Sequence, residues 1–317
     1  MAKLALLGLV TDSLAHKKAA ASGSAAGAWI AVFLLAIVDF TWRYYSGLTF
    51  TFDWLRIICV FGVIGLINIF YGILGRSTRL ASMANYAGLW IAFTITGAMF
   101  TYLTAHLRLP LVDSKLATFD TWLAFDWITW FSFVAAHPAL SFFLGLAYSS
   151  LILQIIASIL FFSHIGRPDR NLELWWMALI SLLITSVISG ILPAAGAGIR
   201  FGAWAIKYAS YLPHFLALRD GSLQNIPLAD MQGIITFPSY HAVLALLVTY
   251  AYRDQKYLLA LVMALNTLML FSIPPYGNHY IADMIAGACV AAASIAVMRT
   301  TRPKRRANEL VSHAAAA

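Results

Sequence analysis

The chain has 317 residues, of which 61% are hydrophobic and only 11% charged, and it carries a formal net charge of +8. So little charge excludes a soluble globular domain and indicates a polytopic membrane protein. The basic excess does not point to nucleic acid, because Lys and Arg stand at the ends of apolar runs, where membrane topology is encoded.

In chain order, the opening MAKLALLGLVTDSLAHKKAAAS has a short apolar patch but no cleavage pattern, and is expected to be a cytoplasmic tail or interfacial helix. Eight apolar segments follow, at roughly 25–45, 54–75, 84–105, 139–162, 172–194, 238–252, 256–275 and 279–298, against the about 20 residues that a crossing helix needs. Between the third and fourth, FDTWLAFDWITWFSFVAAHP (119–138) alternates Trp122, Trp127 and Trp130 with Asp120 and Asp126, the pattern of a helix lying in the interface. Cys59 and Cys289 fall inside apolar segments and read as buried thiols, with no disulfide or metal site. Asp39 is expected to pair with Arg43, and Asn68, Gln154 and Asn266 to make interhelical hydrogen bonds. His106, His137 and His164 read as interfacial. The end RTTRPKRRANELVSHAAAA reads as a basic tail contacting anionic lipid.

With eight spans both termini share a side. That side receives Lys3, Lys17, Lys18, Arg76, Arg79, Arg167, Arg170, Arg253, Lys256, Arg299, Arg302, Lys304, Arg305 and Arg306. The other receives Arg43, Arg56, Arg108, Lys115, Arg200, Lys207 and Arg219, and together the two sets hold all 21 Lys and Arg. The positive-inside rule puts the richer side, and both termini, in the cytoplasm. Loops 106–138 and 195–237 then face outward.

Two stretches place histidines at the mouths of spans on that outer side: FPSYHA entering the sixth and PPYGNHYIADMIAG entering the eighth. His241 and His279 therefore lie at similar depth. His279 and Asp283 are four apart, so on a helix they share a face, where a carboxylate fixes an imidazole tautomer and raises its basicity. A lone membrane histidine is more often an anchor or a packing donor. Two at matching depth, each at a helix N-terminus with unpaired N–H groups, suit a bound anion such as phosphate.

FPSYHA followed by GNHYIAD resembles the second and third signature motifs of the type 2 phosphatidic acid phosphatase superfamily, and within it the branch of the inositol phosphorylceramide synthases. The resemblance covers roughly the last 180 residues and implies a six-helix bundle around the site. It implies that His279 is the nucleophile forming a phosphohistidine, that Asp283 orients it, and that His241 is the general acid and later base. Ser239 and the backbone N–H groups of 239–241, Tyr240 among them, would bind phosphate oxygens. The sequence departs from the phosphatase branch at its first motif: no Lys lies seven residues before Arg167, where Leu160 stands, and Ile273 occupies the place of an Arg upstream of His279. The synthase branch also lacks that upstream Arg. GRPDRN reads as a cytoplasmic helix connection.

A phosphate still needs cations. Arg219 with one of Arg200 or Lys207, which are seven apart, would clamp it; headgroup anchoring is the alternative.

The reading is an all-α membrane bundle of about eight transmembrane helices plus an interfacial helix. Residues 1–80 would hold the N-terminal segment and two additional spans, 81–300 the catalytic core and 301–317 the tail. The expected partners are a lipid phosphate and the bilayer. No cofactor is expected, and metal-independent catalysis follows, because no acidic residues pair at ligand spacing near the histidines. A transporter or lipid-binding scaffold is the other class considered; no inverted repeat supports it.

Overall fold

The computed structural model describes residues 25–201 and 209–301. The expected N-terminal helix, Lys207 and the basic tail beyond Thr301 lie outside the described residues. Among the described residues twelve α-helices succeed one another: α1 (Ala25–Ser46), α2 (Trp54–Ile73, ending in the π-helical stretch Asn68–Ile73), α3 (Thr78–Ala105), α4 (Asp113–Trp122), α5 (Trp127–Ala136), α6 (Pro138–Ser149), α7 (Leu151–His164), α8 (Pro168–Ile191), α9 (Leu212–Asp220), α10 (Tyr240–Ala251), α11 (Lys256–Gly277) and α12 (Ile281–Thr301). Among the described residues six of them, α1, α2, α3, α8, α11 and α12, are long and apolar enough to cross a membrane. The other two expected crossings are shorter helices. α10 has 12 residues, and 139–162 is divided between α6 and α7 at Ser150, which keeps helical angles (φ −73°, ψ −13°).

The connections alternate between two ends of the bundle. At one end, β1 (Thr49–Thr51) after α1 pairs in parallel with β2 (Asn225–Pro227) before α10. Arg219 of α9 donates to the Leu109 carbonyl just beyond α3, and Asn278, between α11 and α12, accepts from the Gly198 N–H just beyond α8. At the other end, the Ser82 and Ser163 hydroxyls of α3 and α7 meet at 3.0 Å, Arg253 after α10 pairs with Glu173 at the start of α8, and Arg299 near the end of α12 donates to the Tyr250 hydroxyl. The start of α1 belongs here too, since the Trp29 indole donates to Asn85 near the start of α3. The described chain thus begins and ends at one end of the bundle, as an even number of passes requires.

α8 is the central helix. Leu174, Trp175, Met177 and Ala178 are wholly buried, and α3, α10 and α12 pack around it. Gly97 of α3 permits the α3–α8 approach: a Cβ there would come 2.6 Å from Leu182 Cδ2, the use small residues have between membrane helices. No residue of Trp54–Ile67 in α2 is buried, so that helix stands outermost.

Several polar expectations are corrected. Asp39 does not pair with Arg43: its carboxylate is fully buried with neither oxygen hydrogen-bonded, while Arg43 lies over the Phe40 ring at 5.3 Å. Asn68 and Gln154 donate within their own helix, to the Ile64 carbonyl and to Ser150 Oγ, each an acceptor one turn back. Asn266 does bridge helices, donating from α11 to the Ala245 carbonyl of α10. Both cysteines are free and exposed, on outward faces of α2 and α12.

The stretch 119–138 is not one interfacial helix. It is broken after α4, where Ala124 takes a left-handed conformation (φ 55°), and α5 turns into α6 by 111° at His137–Pro138. Proline at the first position of α6 disfavours helical angles in the residue before it, and His137 has φ −118° and ψ 87°. The tryptophans of α5 serve α11. Pro275 removes the N–H that would bond the Phe271 carbonyl four residues earlier. Trp130 Nε1 supplies that donor at 3.3 Å, and Trp127 Nε1 donates to the Pro274 carbonyl at 2.9 Å.

Candidate active site

The two histidine motifs meet where α10 and α12 begin. Ser239 is the N-cap of α10, in extended conformation with its Oγ accepting from the Ala242 N–H, the position that serine favours. Its own N–H donates to the Asp283 carbonyl at 3.0 Å, which ties the start of α10 to the first turn of α12. Gly287, one turn further along α12, allows the approach, because a Cβ would stand 2.6 Å from the Ser239 carbonyl oxygen.

His279 precedes α12 instead of lying on it, so its pairing with Asp283 is not the helical i,i+4 face expected from sequence. Asp283 acts from the first turn as an N-terminal cap: its Oδ2 accepts from the Tyr280 N–H and from His279 Nδ1, both at 3.0 Å. His279 Nδ1 then carries its proton toward the carboxylate, and Nε2 points to Ser239 Oγ at 3.5 Å. His279 and Asp283 are buried, and Asp283 Oδ1 has no hydrogen-bond partner. His241, the second residue of α10, is half-buried and within electrostatic range of His279.

Three further groups hold this arrangement. Asn278 takes the left-handed conformation that ends α11 (φ 59°, ψ 38°), which Asn tolerates better than other residues with a Cβ. From there it accepts from the Ala197 N–H through its carbonyl and donates from Nδ2 to the Tyr211 hydroxyl. Asp120 of α4 caps α12, accepting from the Ile281 and Ala282 N–H groups at 3.0 Å each. Asp113, two turns earlier on α4, accepts from the Ala195 and Gly196 N–H groups and from the Tyr280 hydroxyl. Burial pushes both carboxyls above the usual carboxylate range, and these N–H donors pull them back down.

The N-terminus of α12 is therefore occupied by the protein's own carboxylates, and the Ser239 N–H is committed to Asp283. Of the expected 239–241 N–H cradle, Ser239 is unavailable. Tyr240 offers no side chain either, since its hydroxyl donates to the Ala178 carbonyl inside the bundle.

Of the expected basic residues, neither Arg219 nor Arg200 makes a hydrogen bond or ion pair with the histidines, and Lys207 lies outside the described residues. Arg219 donates to the Leu109 carbonyl and lies over Phe215 at 5.4 Å, with Nη1 buried and unpartnered; burial lowers its pKa. Arg200, in the 3₁₀ turn Ala197–Phe201, is exposed and lines a small cavity with Asp120, Asp126 and Tyr280, the neighbour of His279. Sequence reasoning missed Asp113 and Asp120 as site supports, although their seven-residue spacing puts them on one face of a helix. It also missed Asn278, whose signal is an Asn immediately before the motif histidine. Among the described residues no group of three or more His, Cys, Asp or Glu could hold a metal ion.

A model of the PAP2 superfamily matches residues 114–297, more than half of the chain, from α4 into α12. No curated protein and no solved structure matches it.

Proposed function

The chain belongs to the PAP2 superfamily, and from that premise we propose that it is a membrane enzyme acting on a lipid-linked phosphoester through a phosphohistidine. The observation that carries this is the His279 imidazole: tied through Nδ1 to Asp283, it turns the Nε2 lone pair toward the Ser239 hydroxyl at 3.5 Å and lies within electrostatic range of His241.

Nε2 attacks phosphorus, the bond from phosphorus to the lipid or head-group oxygen breaks, and His241 gives that oxygen a proton. In the second step a water or hydroxyl attacks the phosphohistidine and passes its proton to His241, the P–N bond breaks, and His279 is restored. Asp283 orients His279 throughout. Ser239 Oγ, the Tyr240 N–H, Arg219 and either Arg200 or Lys207 would hold the phosphoryl oxygens. No step requires a metal.

We assign the catalytic core to 81–300, with α1 and α2 as additions, and place the site on the extracytoplasmic face. The even number of passes and the basic residues Arg76, Arg79, Arg167, Arg170, Arg253 and Lys256 at the opposite end support that orientation.

Transfer to a hydroxyl, as in the inositol phosphorylceramide synthases, is the reading favoured over hydrolysis. Ile273, at the place of the phosphatases' upstream Arg, is fully buried. Leu160, at the place of their Lys, is exposed, and Arg167 pairs with Asp169 at the far end of the bundle. Purified protein incubated with phosphorus-labelled phosphatidate or phosphatidylinositol, with and without ceramide, should give a new labelled lipid and an acid-labile label on the protein. Inorganic phosphate alone sinks the transferase reading; no labelled product and no labelled protein with either donor sinks the enzyme.

A further inference from the structure

Tyr148 stands on α6, outside both motifs, and nothing above gives it a part in the reaction. Its ring lies flat on the His241 imidazole, with centroids 4.5 Å apart and planes 13° apart. Behind it the Tyr276 ring of α11 stacks at 6.0 Å and 27°.

The column is built into the backbone. Gly145, three residues before Tyr148, leaves room for Tyr276, whose hydroxyl would be 3.0 Å from a Cβ there. Ser141 Oγ holds that same hydroxyl at 2.9 Å. On the other side Gly277 leaves room for Tyr148 and His279 together: a Cβ would stand 3.1 Å from the Tyr148 hydroxyl and 2.5 Å from His279 Cδ2. Tyr148 thus covers one histidine with its face, while its hydroxyl shares a glycine gap with the other.

A general acid must hold a proton at the moment the leaving oxygen departs. Three features work against this at His241. Its ring is partly withdrawn from water, which disfavours the charged form, it sits in the first turn of a helix, where the positive end of the dipole disfavours an imidazolium, and His279 is beside it. An aromatic face under the ring works the other way, because its negative quadrupole attracts a cation. We propose that Tyr148 is a positioning residue that fixes the His241 ring and favours its imidazolium form, so that the neighbouring histidines hold opposite protonation states. This rests on the reading of His241 as the proton donor.

Among the described residues, the titratable groups around His241 are the Tyr148 phenol from α6, Tyr276 stacked on it from α11, the His279–Asp283 pair leading into α12, and the Tyr211 phenol before α9, within electrostatic range of Tyr148 and Asp283. The charged residues of α7 and α8 lie at the opposite end of the bundle.

The test is a pH titration of histidine-labelled full-length protein in detergent, followed by NMR, with the His241 signal assigned by its loss in His241→Gln. Removing the ring in Tyr148→Leu should lower the midpoint by about one unit, a tenfold loss of proton affinity, and Tyr148→Phe should restore the wild-type midpoint. Tyr148→Met stands in if the Leu variant does not fold. An unchanged midpoint without the ring overturns the role of Tyr148. Full lipid turnover by His241→Gln would instead overturn the reading of the site, so the two failures are separable.

Discussion

Two buried polar clusters sit at opposite ends of the same helices, and they are built differently. At the end where α8 begins, Glu173 is bound by Arg170 and by Arg253, each at 2.8 Å, and Arg170 also pairs with Asp254. Arg253 lies over Tyr250 at 3.9 Å, and Arg299 donates to the same ring's hydroxyl. Charge meets charge, and the cluster closes the α10–α11 turn onto α8 and α12. At the histidine end, the carboxylates of Asp113 and Asp120 meet only backbone N–H groups and the Tyr280 hydroxyl, and Asp283 Oδ1 and Arg219 Nη1 are left without partners. A cluster that neutralises itself is a staple. One that keeps buried polar atoms unmatched has capacity left for a charged ligand, at a cost in stability.

The comparison breaks first if the histidine end proves structural. His279→Ala should remove lipid turnover and the acid-labile label altogether, while the detergent-solubilised protein keeps its unfolding temperature within a few degrees. A variant with wild-type turnover, or one that never folds, would put this end in the same class as the other.

The staple predicts the opposite pattern. Glu173→Gln leaves the buried Arg170 and the half-buried Arg253 with half their counter-charge, and should destabilise the fold by about 3–5 kcal/mol. It lies a full helix length from His241 along α10, so turnover per folded molecule should stay near wild type. A loss of turnover larger than the loss of folded protein would show that the two ends are coupled.

How much of this was legible in sequence follows the same division. Crossing segments announce themselves by apolar length, and the paired histidines by their position at span mouths. The six long helices and the His241–Ser239–His279–Asp283 cluster were therefore within reach. The supports were not, because they act through backbone. Asp120 reads as surface decoration between tryptophans until α4 is seen lying across the start of α12. Tyr148 carries no local signal at all, since its partner is 93 residues away in the chain. Tyr240, drawn into the site by its place in the motif, points its hydroxyl into the bundle because successive residues of a helix face different ways. Asp39, expected to find Arg43 one turn away, is turned inward while the arginine stays over Phe40.

Asp120→Asn tests whether the backbone-held carboxylates position the nucleophile or only steady the helix. The amide can still accept from one N–H of α12 but removes a charge from the helix N-terminus, so the stability loss should be about 1 kcal/mol. If Asp120 also sets the depth of Tyr280 and His279, kcat should fall with KM unchanged. A change in melting temperature alone would make it a cap.

The smallest effect belongs to Arg200. It is exposed at the rim of the cavity that Asp120 and Tyr280 share, where water screens its charge and a phosphate contact is worth far less than inside the bundle. An interaction made equally with bound substrate and transition state changes KM and leaves kcat alone. Arg200→Ala should therefore raise KM for the lipid donor by about three- to tenfold, an effect that shrinks as salt is added. Headgroup anchoring would instead leave KM unchanged in detergent micelles, where no bilayer remains to anchor to. A fall in kcat would move Arg200 from the rim to the reacting phosphate, and the division between an open and a closed cluster would then extend to the cations as well.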